Sequence, residues 1–212
     1  MIIGVDINDV LRDYTGQFIT IYKKFIDPSF DKKIEDITDF DFANVFPFFK
    51  DEYGVIDYNQ FNKFKYEDYP FELYGRANTI DSNLSASFNQ WQQNTLQNFE
   101  EEKIPHVIIV SPFEYGISIQ STLSFLSRIG TRAREFYFPV DSMTIWDKCD
   151  LLITANPNLL DNTPEGKVSI KIETSYNKDA KSTYTFKSLK GLIDDENNTI
   201  TKLIEGNETI LY

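Results

Sequence analysis

Ile2-Ile3-Gly4-Val5-Asp6-Ile7-Asn8-Asp9-Val10-Leu11-Arg12-Asp13-Tyr14 is the stretch whose reading decides the fold of this chain. The apolar run that begins at Ile2 is too short for anything but a buried strand. It breaks into polar residues from Asp6 to Asp9, and helical spacing follows. A buried strand whose C-terminal end delivers a carboxylate into a loop is where open α/β sheets keep their chemistry. Taken alone, the stretch also suits a first strand closed by an Asx-rich turn, with Asp9 as N-cap of the next helix.

Composition narrows the classes around it. The 212 residues suit one domain with an insertion, or a core with a small cap, and can bury a real hydrophobic interior. A net charge of -12 argues against a nucleic-acid surface, because phosphate binding needs clustered Lys and Arg. A single Cys and a single His exclude an internal disulfide, a histidine-based metal site and a Ser-His triad. Met1 leads straight into the strand and no apolar run approaches a membrane span. The expectation is a soluble protein of a reducing compartment, without signal peptide or membrane partner. The 18 Phe and 12 Tyr are read as a low-GC coding bias.

Outward from the first strand, apolar residues recur at helical spacing from Val10 to Phe25, and Asp27-Pro28 ends that helix. Between Asp27 and Tyr74 short aromatic clusters, Phe46-Pro47-Phe48-Phe49 and Tyr69-Pro70-Phe71, alternate with acidic runs. Short helices and irregular connections packed through Phe and Tyr are expected there. Asn78 to Phe99 predicts a long amphipathic helix with Ile80, Leu84, Phe88, Trp91 and Leu96 on one side, and Glu100 to Lys103 as its solvated end. His106 to Val110 predicts a second buried strand ending in Ser111-Pro112, with His106 structural at the strand's beginning. Further on come a helix over Ser118–Ile129, an edge strand over Arg134–Phe138 and a helix over Asp141–Lys148. Asp150–Ile153 and Lys167–Glu173 are the fourth and fifth strands. Thr185 to Gly206 is expected to close the chain as a helix kinked near Asp194–Asn198. Alternating strands and helices imply a parallel sheet covered on both faces, with strand 1 central beside strands 2 and 4.

These motifs resemble the haloacid dehalogenase superfamily. The opening is similar to motif I of its 5′(3′)-deoxyribonucleotidase branch, Asp-x-Asp-Gly-Val-Leu, in which the first Asp is the nucleophile and the second the general acid/base. The resemblance implies a Rossmannoid three-layer α/β core with a parallel five-stranded sheet, spanning residues 1–15 and 104–212. It also implies that 16–103 is a helical, aromatic-rich cap-like insertion. Asp6 stands at the nucleophile, but Asn8 at the general acid. Ser111 matches the motif II hydroxyl that orients phosphate. Cys149 to Pro157 resembles the family's Asp-x-Leu-Ile-Asp-Asp strand, with Thr154 and Ala155 where carboxylates hold Mg²⁺. Met143 stands near the implied motif III Lys, and Lys148 is a poorer substitute. Ser169 to Asn177 resembles the closing strand and its Tyr-Asn turn.

Phosphoryl transfer is catalysed by positioning and charge neutralisation, with Mg²⁺ bridging an anionic nucleophile and an anionic phosphate. Asn8 cannot donate and retrieve a proton as an acid does. Clustered carboxylates without a cation raise each other's pKa, so losing acids and cation together is physically consistent. The leading expectation is therefore a catalytically inactive protein that needs no cofactor and works through contacts with other proteins or copies of itself. Phe46, Phe48, Phe49, Tyr69 and Phe71 are its candidate interface residues. The composition suits a bacteriophage protein, with a virion or tail component as the specific expectation, located in the host cytoplasm or in the particle. The alternatives are a Mg²⁺-dependent nucleotidase using Asp6, Ser111 and Lys148, with Asp150 or Asp161 as replacement ligands, and an inactive protein that still binds a nucleotide.

Overall fold

The computed structural model describes residues 1–97 and 104–206. Six strands form one wholly parallel sheet: β1 (Ile2–Asp6), β2 (His106–Val110), β3 (Phe136–Tyr137), β4 (Leu151–Thr154), β5 (Val168–Ile172) and β6 (Tyr184–Phe186). Their spatial order is β3-β2-β1-β4-β5-β6, so β1 is central between β2 and β4. Five strands were expected, and β6 is the addition. The chain order reverses beside β1, and open α/β sheets place ligands at the strand carboxyl ends near such a switch point.

Strand alternation sorts the interior onto two faces. Ile3, Val5, Val107, Ile109, Leu151, Ile153 and Ile170 build one cluster with side chains of four helices: α3 (Leu84–Gln97), α4 (Ile117–Arg128), α7 (Leu189–Ile193) and α8 (Thr199–Glu205). Ile108, Val110 and Leu152 face the other way, against Ile145 and Trp146 of α5 (Ile145–Lys148) and Leu159 of α6 (Pro157–Asp161). The sheet is thus covered on both faces. The strands approach closely at Gly4, where a Cβ would lie 2.5 Å from Cys149 Sγ and 3.0 Å from Leu152 Cδ1.

A separate aromatic layer is built from α1 (Tyr14–Phe25), α2 (Tyr58–Lys63) and the short turns around them. Phe18 meets the rings of Phe42, Phe46 and Phe64 at centroid distances of 5.3, 4.7 and 5.3 Å. Single 3₁₀ turns at Ile34–Asp36, Phe42–Asn44 and Pro47–Phe49, and π-helical turns at Phe64–Asp68 and Phe71–Gly75, carry the rings inward. The expectation of short irregular helices packed through Phe and Tyr holds.

Several boundaries differ from the sequence reading. Val10 and Leu11 belong to a loop whose Leu11 and Arg12 amides both donate to Ile7 O at 2.9 Å. The helix therefore begins at Tyr14, with Asp13 as N-cap accepting from Gly16 N. Asp9 is therefore not the N-cap, which lies four residues on, although its Oδ1 accepts from the Thr15 amide in the first turn. The long helix starts at Leu84, leaving Ile80 exposed, and its Leu84 and Phe88 pack into the sheet's cluster. The expected end of that helix at Asn98 to Lys103 lies outside the described residues. The closing helix is two helices, α7 and α8, separated by Asp194–Asn198. His106 is half exposed and pairs with Glu135 at 2.8 Å. Among the described residues, no helix is long and apolar enough to cross a membrane.

Candidate functional site

The strand ends and the aromatic layer enclose a cavity of about 440 Å³. Asp6, Asn8 and Asn156 lie on its strand side, and Phe42, Tyr58, Phe61, Lys65, Tyr66 and Tyr176 contribute to the rest of its wall. Asp6 is delivered there because β1 ends on it.

Asp6 is buried, with both oxygens engaged. Oδ2 accepts from Thr154 Oγ1 at 2.6 Å, and Oδ1 accepts from the Ile7 amide at 2.7 Å. Burial pushes its carboxyl up to about 7 against the lowering effect of these two donors, while Glu114 raises it further and Arg12 lowers it. Thr154 is thus an intrastructural donor to the carboxylate. Its hydroxyl also accepts from the Asn156 amide at 3.0 Å.

Asn8 is held by Arg12, four residues on. The Asn8 Oδ1 accepts from Arg12 Nε at 3.0 Å and Nη2 at 2.5 Å. Arg12 is fully buried and forms an ion pair with buried Glu114 at 2.6 Å. Its Nη1 donates to Tyr74 O at 3.0 Å and to Thr122 Oγ1 at 2.7 Å. The guanidinium lies over the Tyr74 ring at 4.9 Å. Glu114 also takes the Ser111 hydroxyl at 2.8 Å, so the side chain matched to phosphate binding is already committed.

Beside this network, Asp9 is buried and takes three hydrogen bonds: the Thr15 amide at 2.9 Å, Thr15 Oγ1 at 2.6 Å and Tyr176 OH at 2.8 Å. Burial nevertheless raises its pKa. Lys65, half-buried, lies 4.1 Å from the Phe61 ring centroid and 4.6 Å from that of Tyr66. Burial lowers its ammonium to about 8.

The residues matched to catalysis do not assemble into one set. Asp6, Asn8 and Thr154 converge near the strand ends, and Ala155 is buried with its carbonyl accepting from Asn177 Nδ2 at 2.8 Å. Lys148 is exposed, 5.8 Å from the Tyr137 ring centroid, and neither it nor the exposed Met143 lines the cavity. Among the interface candidates, Phe46 and Phe49 are fully buried in the aromatic layer, so they present no free surface. Tyr69 is half-buried and stacks on Phe25 at 4.6 Å, while Phe48 and Phe71 are exposed. Arg12, Glu114 and Lys65 escaped the sequence reading as site residues, and Tyr176 entered it only as part of the resembled Tyr-Asn turn. The one local signal was an arginine inside the apolar run Val10-Leu11, four residues after Asn8.

A magnesium ion needs several hard oxygen ligands, usually carboxylates. Asp150 Oδ2 accepts from the Ile2 amide at 2.7 Å, at the opposite end of the sheet. Exposed Asp161 accepts from the Lys181 amide. Among the described residues no three carboxylate, thiol or imidazole groups gather. This donor set does not fit the ion that the sequence resemblance implies.

No protein-family model matches the chain, and no curated protein sequence does either. Among solved structures it is similar to a haloacid dehalogenase-like family hydrolase from Xanthomonas campestris, at 10% identity and a TM-score of 0.49 over 98% of this chain and 96% of that one. It is also similar to a haloacid dehalogenase-like hydrolase from Burkholderia xenovorans LB400, at 8% identity and a TM-score of 0.48 over 92% of this chain and 98% of that one. Identities this low say nothing of the chemistry at the site.

Proposed function

We propose that this chain is a haloacid dehalogenase-like protein that binds rather than catalyses, having left metal-assisted phosphoryl transfer behind. The observation that carries this reading is the Arg12 fork on Asn8. Where the sequence resemblance expects a proton-donating acid, an amide oxygen is pinned by two guanidinium hydrogen bonds. The cation that could have faced an incoming phosphate is instead buried against Glu114. Asp6 accepts from Thr154 and Ile7, and Thr154 and Ala155 stand where the resemblance expects metal carboxylates.

The test is hydrolysis of p-nitrophenyl phosphate and of deoxynucleoside monophosphates in millimolar Mg²⁺. The protein should give no turnover above an Asp6→Ala control, and Mg²⁺ should not raise its melting temperature. Turnover that depends on Asp6 would reverse the reading.

A contact role is favoured by a different face. The turn around Tyr53 and Val55, which are 83% and 62% exposed, adjoins exposed Phe48 and Tyr58 in sequence. Exposed apolar side chains in one segment suit a protein partner or a second copy, as in a virion component. Tyr53→Asp and Phe48→Asp should then change the mass measured by light scattering without lowering the melting temperature.

A further inference from the structure

Among the described residues that line the cavity, the one buried side-chain atom without a partner is a donor. Asp6 and Asp9 already accept, as described, and Asp41 accepts from the Ala43 amide and from Tyr58 OH. By contrast, Asn156 is 4% exposed and uses its Oδ1 to cap α6, accepting from the Asn158 amide at 2.9 Å. That bond fixes the orientation of the amide and leaves Nδ2, a buried donor, with no partner. A buried unmatched donor costs roughly 1–3 kcal/mol, so its retention in a cavity wall calls for an acceptor.

Lys65, half-buried, is a second donor on the cavity. It is the one basic residue among the described residues lining the cavity. Its only hydrogen bond among the described residues is to Tyr66 OH, at 3.2 Å, and no carboxylate lies within ion-pairing distance. The Tyr66 hydroxyl donates to Phe113 O at 2.5 Å, so toward Lys65 it can only accept. Two of the three ammonium protons therefore have no acceptor in the protein. The cavity wall also includes the aromatic residues Phe42, Phe61, Tyr14 and Tyr74.

We propose that this cavity binds a planar aromatic monocarboxylate with a second, neutral acceptor, the carboxylate on Lys65, the ring among the aromatic walls and the neutral acceptor on Asn156 Nδ2. The assignment rests on the non-catalytic reading above. A single ammonium matches a single charge, and Asp6, Asp9 and Asp41 in the same wall oppose a phosphate dianion. The cavity volume lies within the range of small-molecule sites.

Calorimetric titration with 4-acetylbenzoate tests it, against acetophenone, which lacks the charge, and 4-acetylphenyl phosphate, which doubles it. Wild-type protein should bind 4-acetylbenzoate at least about tenfold more tightly than either, as a charge-assisted hydrogen bond warrants. Lys65→Met should erase that advantage, and Lys65→Arg should restore part of it. Asn156→Ser, which keeps a capping hydroxyl, should weaken 4-acetylbenzoate severalfold but leave plain benzoate unchanged. Circular dichroism confirms that each variant is folded. Equal binding of acetophenone and 4-acetylbenzoate, tighter binding of the phosphate, or no binding overturns the ligand assignment while leaving the non-catalytic reading intact. Mg²⁺-dependent release of 4-hydroxyacetophenone from the phosphate would overturn the non-catalytic reading instead.

Discussion

The sheet and the aromatic layer solve the same burial problem with different materials. On the sheet, Ile, Val and Leu sit at two-residue intervals on strands whose backbone groups pair with neighbours. In the aromatic layer there is no ladder. Single helical turns orient the rings, and contacts such as Phe18–Phe46 and Phe46–Phe30, at 4.7 and 4.8 Å, join segments far apart in sequence. Branched aliphatics suit a regular pleat, whereas large rings reach across an irregular one and bury more area each. The two materials meet at Arg12, whose guanidinium lies 4.9 Å from Tyr74 of the aromatic layer and 5.5 Å from Phe125 under the sheet.

Removing Arg12 attacks that seam. Arg12→Ala strands buried Glu114 without its cation, and should cost about 5 kcal/mol in urea unfolding, the upper end for a broken buried pair. Adding Glu114→Gln should recover part of the loss. Within the aromatic layer, Phe46→Ala should cost about 3–4 kcal/mol. Hydrogen exchange should then accelerate across residues 30–75 while β1 amides stay protected, because the layer has no strand pairing to the sheet.

Asp6→Asn probes the strand end by pH. The folded carboxyl, pushed up to about 7, keeps a proton that the unfolded chain releases near the ordinary carboxyl value of 3.8. Stability from this group therefore falls as pH rises between those values and levels off above. The variant should gain about 2 kcal/mol at pH 8 and nothing at pH 3, allowing for lost hydrogen bonding. The mildest change is Ile153→Val in the sheet, expected to cost about 1 kcal/mol and to leave exchange in the aromatic layer unaltered. Equal exchange effects from Phe46→Ala and Ile153→Val would mean the two layers open as one unit.

β1, β2 and β4 were legible because each is a short, almost unbroken apolar run, and β5 because Val168, Ile170 and Ile172 alternate with polar residues. β6 was not, since Thr185 is exposed and only Tyr184 and Phe186 turn inward from three residues. At the site, Asp6, Asn8 and Thr154 could be placed from their positions at or just beyond strand ends. Glu114 and Tyr176 could not, because their partners Arg12 and Asp9 lie 102 and 167 residues away. No local period encodes such a meeting. Lys65 was hidden for another reason: in sequence it is one of two lysines in a mixed aromatic and charged stretch, and only the π-helical turn carries it to the rings.

The central position of β1 also sets a timetable for synthesis. Ile2 pairs with His106 and Ile3 with Leu151, partners translated 104 and 148 residues later. At about 5–20 residues per second, β1 spends roughly 5–20 s outside any sheet before its first neighbour is even made. During that wait Ile2, Ile3 and Val5 are a sticky nascent segment, and the aromatic rings of residues 18–74 emerge next as their nearest shelter. A ribosome-associated chaperone that engages apolar segments would find its target in β1 long before the partner strands are made.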